Sequence, residues 1–288
     1  MNETLKISIA QISPLPGEIT HNLKTAMEFI EKASAEGSKL VIFPEMYISG
    51  YSVIGSYCTE DFNKISVSMN DLVVRNLIRL CSKLDEYVIV GLPLRDTSND
   101  IIYNAALFLG PDGIIGVHRK ITLPDGNYRG QKFCEGEYFK PGRNISTFKT
   151  SIGAFGIFIC YELFMPEIPR MLAVQGAEYL VCLAAGPMSQ KKAFDMFLPV
   201  RAIENCAYLI FCNLPREGTM DFFGSSRILL PNGRILEQAA MGDEDRIIGE
   251  INSTEVRRAR LSYPNLKDRK ALDFLNIDGP VKNPFAPS

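Results

Sequence analysis

The chain opens on a strict alternation. Leu5, Ile7 and Ile9 are apolar while Lys6 and Ser8 are polar, so LKISIAQI over 5–12 reads as a strand. Residues 21–36 change to helical spacing, with Leu23, Met27 and Ile30 on one face and Gly37 closing the helix. KLVIFPE at 39–45 is a continuous apolar run and predicts a buried strand entering a Pro-Glu corner. A second amphipathic helix is predicted over 70–85, then a strand at 87–93 (YVIVGLP) and two more near 102–109 and 113–118. Gly110-Pro111-Asp112-Gly113 joins the last two as a hairpin turn. From 119 to 150 the periodicity fades in a stretch dense in Gly, Tyr, Glu and Lys. A loop of that length inside a compact domain points to function.

The rhythm then returns. GAFGIFIC (153–160) predicts a strand, 166–176 a helix with Pro166 at its start, 178–184 a strand, 191–206 a helix and 207–213 a strand. FGSSRILLPNGRILEQ (223–238) reads as a hairpin around Pro231-Asn232-Gly233, and a further strand falls at 245–251. A tail rich in charge and proline occupies 252–288. Two strand–helix series interrupted by hairpins predict an α/β protein with sheets covered by helices. No linker or shift in composition divides the chain.

Composition narrows the choices. At ~150 residues per domain, 288 residues make one large domain or two ordinary ones. With 31 basic against 33 acidic side chains the net charge is −2, which argues against nucleic acid as a partner. No apolar stretch approaches the ~18 residues of a membrane span. The N-terminus lacks a signal-peptide layout, so a soluble cytoplasmic protein is expected, with no membrane partner. Seven cysteines without CxxC spacing and only two histidines argue against a metal site. There is no Gly-rich phosphate loop, and no cofactor is expected.

Three side chains stand out at predicted strand ends. Cys160 follows an apolar strand and precedes Tyr161 and Glu162, so it is presented at a sheet's carboxyl edge, where α/β sheets hold ligands. Cys182, Cys206 and Cys212, by contrast, sit among apolar residues and read as small core hydrophobes. A thiol needs a base, and Glu45 ends LVIFPE at a predicted sheet edge, where a carboxylate could accept the thiol proton. Lys120, in HRKITLP, supplies a cation that favours a thiolate and can hold an oxyanion. His118 lies two residues earlier on the same side of its strand and is expected to pack or hydrogen-bond there. Arg201 and Glu204 lie at i,i+3 on one predicted helix and are expected to pair with each other.

FPEMYISGY (43–51), HRKITLP (118–124) and GIFICYELFMPE (156–167) resemble the three catalytic motifs of the nitrilase superfamily, the carbon–nitrogen hydrolases. RAIEN (201–205), Asn213, FFGSSRILLPNG (222–233) and EVRRARLSYPNLKDRK (255–270) are similar to later landmarks of that family. The resemblance implies a four-layer αββα sandwich, with 1–288 as a single domain. It further implies a homodimer or higher homo-oligomer packed through 166–176 and 191–206, with the tail 252–288 crossing to the partner. It implies a second glutamate before an aromatic-Phe-x-Pro-Gly segment; CEGEYFKPG offers Glu135 and Glu137, and the count back from Pro141-Gly142 favours Glu135.

The implied reaction is hydrolysis of a non-peptide C–N bond through a thioester on Cys160. Glu45 is the base, Lys120 and the Tyr161 N–H hold the oxyanion, and Glu135 steers Glu45. Free Cys and Glu differ by about 4 pKa units, roughly 5–6 kcal/mol against the proton transfer, so Lys120 must be placed to help the sulfur or the oxyanion most. Cys-Tyr-Glu without any Trp resembles the amidase-like branch more than true nitrilases. Several dicarboxylate-amide hydrolases carry Arg four residues after the cysteine; Phe164 stands there and removes a partner for a substrate carboxylate. The expected substrate is therefore a small amide whose end near Phe164 is neutral or apolar, with Tyr51, Tyr161 and Ala185 as further walls. N-carbamoyl amidohydrolase, nitrilase, thioester-using acyltransferase and non-catalytic binder remain as alternatives.

Overall fold

The computed structural model describes residues 4–56, 61–128, 131–218 and 220–268. Its first half runs β1 (Thr4–Gln11), α1 (Ile19–Ala35), β2 (Leu40–Ile42), β3 (Val67–Ser68), α2 (Leu72–Leu84), β4 (Tyr87–Asp96), β5 (Ile101–Gly110) and β6 (Gly113–Arg119). A small insert follows: β7 (Asp125–Tyr128), β8 (Gln131–Cys134) and α3 (Glu135–Tyr138). The second half runs β9 (Thr147–Thr150), β10 (Gly153–Ile159), α4 (Glu167–Val174), β11 (Tyr179–Ala184), α5 (Lys191–Asn205), β12 (Tyr208–Asn213), β13 (Arg227–Leu229), β14 (Ile235–Gln238), β15 (Asp245–Asn252), α6 (Ser253–Ser262) and α7 (Asn265–Asp268).

Alternation decides which layer each side chain enters. Ile7 and Ile9 of β1 face Ile157 and Val181 of the second half in one buried cluster. Ala10 of β1, Val41, Val88 and Leu107 face the opposite way, against Leu23 and Ile30 of α1 and Val74 and Leu77 of α2. The second sheet repeats the scheme: Phe158, Leu180 and Leu209 turn to Leu172 of α4 and to Phe194 and Leu198 of α5. The layers are thus helices, sheet, sheet, helices. One sheet has the order β15-β1-β2-β4-β5-β6, with β3 on β4; the other is β14-β13-β12-β11-β10-β9. β1, β2 and β4 are parallel, as are β10, β11 and β12; β3 joins β4 in parallel, and the other pairs are antiparallel.

Several elements depart from expectation. β2 ends at Ile42 instead of reaching 45, because Pro44 has no N–H to donate and the chain corners there. Gly91 of β4 makes room for that corner: a Cβ on it would meet the Pro44 carbonyl at 2.3 Å and the Met46 amide at 2.6 Å. The stretch 119–150 is not structureless; it holds the β7–β8 hairpin, α3 and β9, segments too short to carry a visible period. The tail assigned from 252 begins as α6, capped by the Asn252 side chain on the Thr254 amide. Arg260 donates to the Ala177 carbonyl and Asn265 to the Glu204 carbonyl, so this part packs on its own chain. Residues 269–288 lie outside the described residues.

Gly91→Ala forces the 44–46 corner to move. We expect a loss of about 1–3 kcal/mol in urea denaturation. Gly136→Ala, where a Cβ meets nothing within 4 Å, is expected to stay within about 0.5 kcal/mol of wild type.

Candidate active site

Glu45, Lys120 and Cys160 all lie just past the carboxyl ends of strands: β2, β6 and β10. β6 runs parallel to β4 because both are antiparallel to β5, so these ends share one edge of the sandwich. Glu45 and Lys120 have almost no solvent contact, and Glu135, from the first turn of α3, is equally buried.

Lys120 Nζ donates to Glu45 Oε1 at 2.8 Å and to Glu135 Oε1 at 2.7 Å. The Tyr51 hydroxyl donates to the same Glu135 oxygen at 2.6 Å. Asn104 Nδ2 donates to Glu45 Oε1 at 2.7 Å, and the Ala185 amide donates to Glu45 Oε2 at 2.8 Å. Backbone bonds fix the lysine: its amide donates to the Asn104 carbonyl, and the Gly142 amide donates to its own carbonyl. A Cβ on Gly142 would strike the Arg119 carbonyl at 2.2 Å, so only glycine permits that approach.

Cys160 occupies the junction between β10 and a single 3₁₀ segment, Cys160–Phe164. Its φ of 48° is left-handed, a conformation that costs a non-glycine residue about 1–3 kcal/mol. The sharp strand-to-helix turn lifts the side chain into a cavity of about 280 Å³. Tyr51, Glu135, Tyr161, Phe164 and Ala185 line that cavity with it. All four side chains expected as substrate walls therefore face the same space as the cysteine.

The electrostatics follow from burial. Desolvation first, and the Glu45 carboxylate second, push the Cys160 thiol well above the usual cysteine value, with Lys120 pulling the other way. Desolvation works to lower the Lys120 pKa, but Glu135 and Glu45 outweigh it and hold the pKa above the usual lysine value. Glu135 is pushed above the ordinary carboxylate range by burial, with Lys120 opposing and Glu45 adding to the rise. The resting site therefore keeps a neutral thiol above an ammonium that two carboxylates share.

The sequence model of the carbon–nitrogen hydrolase family matches residues 6–261. The chain belongs to the carbon–nitrogen hydrolase family. It is 29% identical over 286 residues to omega-amidase NIT3 of Saccharomyces cerevisiae, covering 94% of each chain. It is 29% identical to a nitrilase of Pyrococcus abyssi over 92% of this chain and 97% of that one. Against N-carbamoylputrescine amidase of Oryza sativa the identity is 25%, over 92% of each. The crystal structure of Saccharomyces cerevisiae Nit3, titled a member of branch 10 of the nitrilase superfamily, aligns with a TM-score of 0.81 at 28% identity. That alignment covers 93% of this chain and 97% of the yeast one. The αββα sandwich is the fold of this family, and the chain is an amidase-like carbon–nitrogen hydrolase.

Several residues of this hydrolase's site escaped sequence reasoning. Asn104, which braces Glu45 and carries the lysine's backbone, is visible only as a lone polar residue inside IIYNAALFLG. Pro124, Asp125, Gly126, Pro187 and Gln190 complete the cavity lining. Glu217 is buried and accepts from the Tyr51 amide at 3.2 Å, the Ser52 amide at 2.7 Å and the Ser52 hydroxyl at 2.6 Å. It holds the turn that aims Tyr51 at Glu135.

Glu162 is a second hidden brace. Its carboxylate accepts from the Ile159 amide and the Ile121 amide, both at 2.6 Å, and lies 2.7 Å from His118 Nε2. Ile159 precedes Cys160 and Ile121 follows Lys120, so one carboxylate ties the two segments together. His118 thus has the expected hydrogen-bonding role. Arg201 pairs with Glu204 at 2.9 Å as expected, and its Nε donates to the Leu163 carbonyl in the turn that carries Cys160.

Burial works to raise the Glu162 pKa, but His118 and the two amides outweigh it and hold the carboxyl below the usual value. The stabilisation is therefore present above the unfolded carboxylate value of about 4.3 and is lost as pH falls through the folded value. Glu162→Ala is expected to cost about 3–5 kcal/mol in urea denaturation at pH 7. Glu162→Gln should cost less, and its gap from wild type should close as the pH is lowered into the acid range.

Proposed function

We propose that this carbon–nitrogen hydrolase cleaves the amide of a small carboxylic acid through a thioester on Cys160. The observation that supports the reading most is the junction of Glu45, Lys120 and Glu135 beside a cysteine that opens into a cavity. Amide chemistry is favoured because the yeast and rice relatives are amidases by name and because Tyr161, not Trp, follows the cysteine.

In the proposed cycle Glu45 takes the Cys160 proton as sulfur bonds to the substrate carbonyl carbon. The oxyanion is held by Lys120 and by the Tyr161 N–H, one of the free amides that begin a helical segment. The tetrahedral adduct collapses, the C–N bond breaks, and Glu45 returns its proton to the departing ammonia or amine. Water then attacks the thioester and gives a proton to Glu45; the C–S bond breaks and the thiol is restored as the acid leaves. Glu135, itself held by Tyr51, fixes the ammonium and steers Glu45.

Phe164 supports a neutral or apolar substrate end beside it. We further infer a homodimer through α4 and α5. Met171, Val174, Met196, Phe197, Val200 and Ile203 of these helices are exposed large apolar side chains, an unusual density for a free surface. The described part of the tail bonds to its own chain, Arg260 to the Ala177 carbonyl and Asn265 to the Glu204 carbonyl, so a crossing to the partner is left to residues outside the described ones. A cytoplasmic site of action agrees with the six described cysteines being free thiols.

Purified Cys160→Ala is expected to release no ammonia from any amide that the wild type hydrolyses. Lys120→Ala should lower kcat by about 10²–10³-fold. Hydrolysis retained in rigorously purified Cys160→Ala would remove this mechanism.

A further inference from the structure

Three features of the cavity concern the end of the substrate remote from the scissile bond. Asp125, at the start of β7, lines the cavity with an exposed carboxylate that has no ion-pair partner among the described residues. Gln190 is 8% exposed, lines the same cavity, and its side-chain amide has no hydrogen-bond partner among the described residues. The amide is not sealed from solvent but opens to the cavity, where its oxygen can accept a hydrogen bond from a ligand. Tyr161 and Phe164 form an aromatic wall, their ring centroids 5.8 Å apart.

The charges agree in sign. Beneath the cavity Lys120 balances only one of its two carboxylates, Glu45 or Glu135. Asp125 adds negative charge near the mouth, and no lysine, arginine or histidine is among the described lining residues. A substrate carboxylate would meet that field without a donor at Phe164. An ammonium would meet a carboxylate, an amide oxygen and aromatic faces, the set of groups that recognises organic cations.

We infer that the cavity selects amides whose distal end carries a protonated amine, with Asp125 as the specificity-determining residue and Gln190 as a hydrogen-bonding partner of that end. The inference rests on the amide-hydrolase reading and names its substrate class. The apolar stretch of such a substrate crosses Phe164, and its ammonium lies toward Asp125.

The test compares three amides of similar length with the purified full chain: 5-aminopentanamide (cationic), pentanamide (neutral) and glutaramate (anionic). Ammonia release at low ionic strength should give kcat/KM in the order cation, neutral, anion. The cation should exceed the anion by about tenfold or more, and added salt should shrink that ratio. Asp125→Asn should narrow the ratio by about threefold or more, and Asp125→Lys should reverse it. Gln190→Leu should raise KM for 5-aminopentanamide more than it lowers kcat. Equal or faster turnover of glutaramate by the wild type overturns the inference while leaving the amide hydrolase standing, as does a ratio unchanged in Asp125→Asn. Release of ammonia from none of the three removes the amide-hydrolase reading and this inference with it.

Discussion

Lys120 stands between Glu45 and Glu135, all three buried from solvent, and the rest of the site is arranged around that fact. Isolated charges at such a depth cost several kcal/mol each, and an ammonium that neutralises one carboxylate leaves the second to be accommodated by other means. The protein supplies those means as fixed donors. Asn104 and the Ala185 amide hold Glu45, and Tyr51 holds Glu135. Each donor is itself anchored at long range: Ala185 at the end of β11, Asn104 in the middle of β5, Tyr51 by Glu217 from beyond β12. The cluster is therefore possible only where both sheets bring their carboxyl ends together.

The same cluster accounts for the state of Cys160. A thiol so placed feels desolvation and a neighbouring carboxylate more than it feels the ammonium, and it remains protonated at rest. A protonated resting thiol fits a role in which the nucleophile is made only when an electrophile arrives. The left-handed backbone at Cys160 and the ties through Glu162 keep sulfur and ammonium in register meanwhile.

Legibility from the sequence divides along physical lines. Strand and helix periods of 2.0 and 3.6 are local, so β1, α1, α2, β10, α4 and α5 could be read within a few residues of their bounds. Glu45, Lys120 and Cys160 were readable as breaks at the ends of apolar runs, and motif resemblance joined them. Glu162 was seen only as a neighbour of Cys160, because its partners Ile121 and His118 lie more than 40 positions earlier. Asn104 and Gln190 announce polarity and nothing about what they meet. The short β7 and β8, with Asp, Gly, Asn and Gln in their sequences, have no apolar period to read.

The most direct measurement is mass spectrometry of the protein quenched in acid during turnover of a slow amide. The account predicts a peptide containing Cys160 that carries the acyl group and loses it to neutral hydroxylamine, as a thioester does. Steady product formation with Cys160 unmodified throughout, or an acyl group on a different residue, would contradict it.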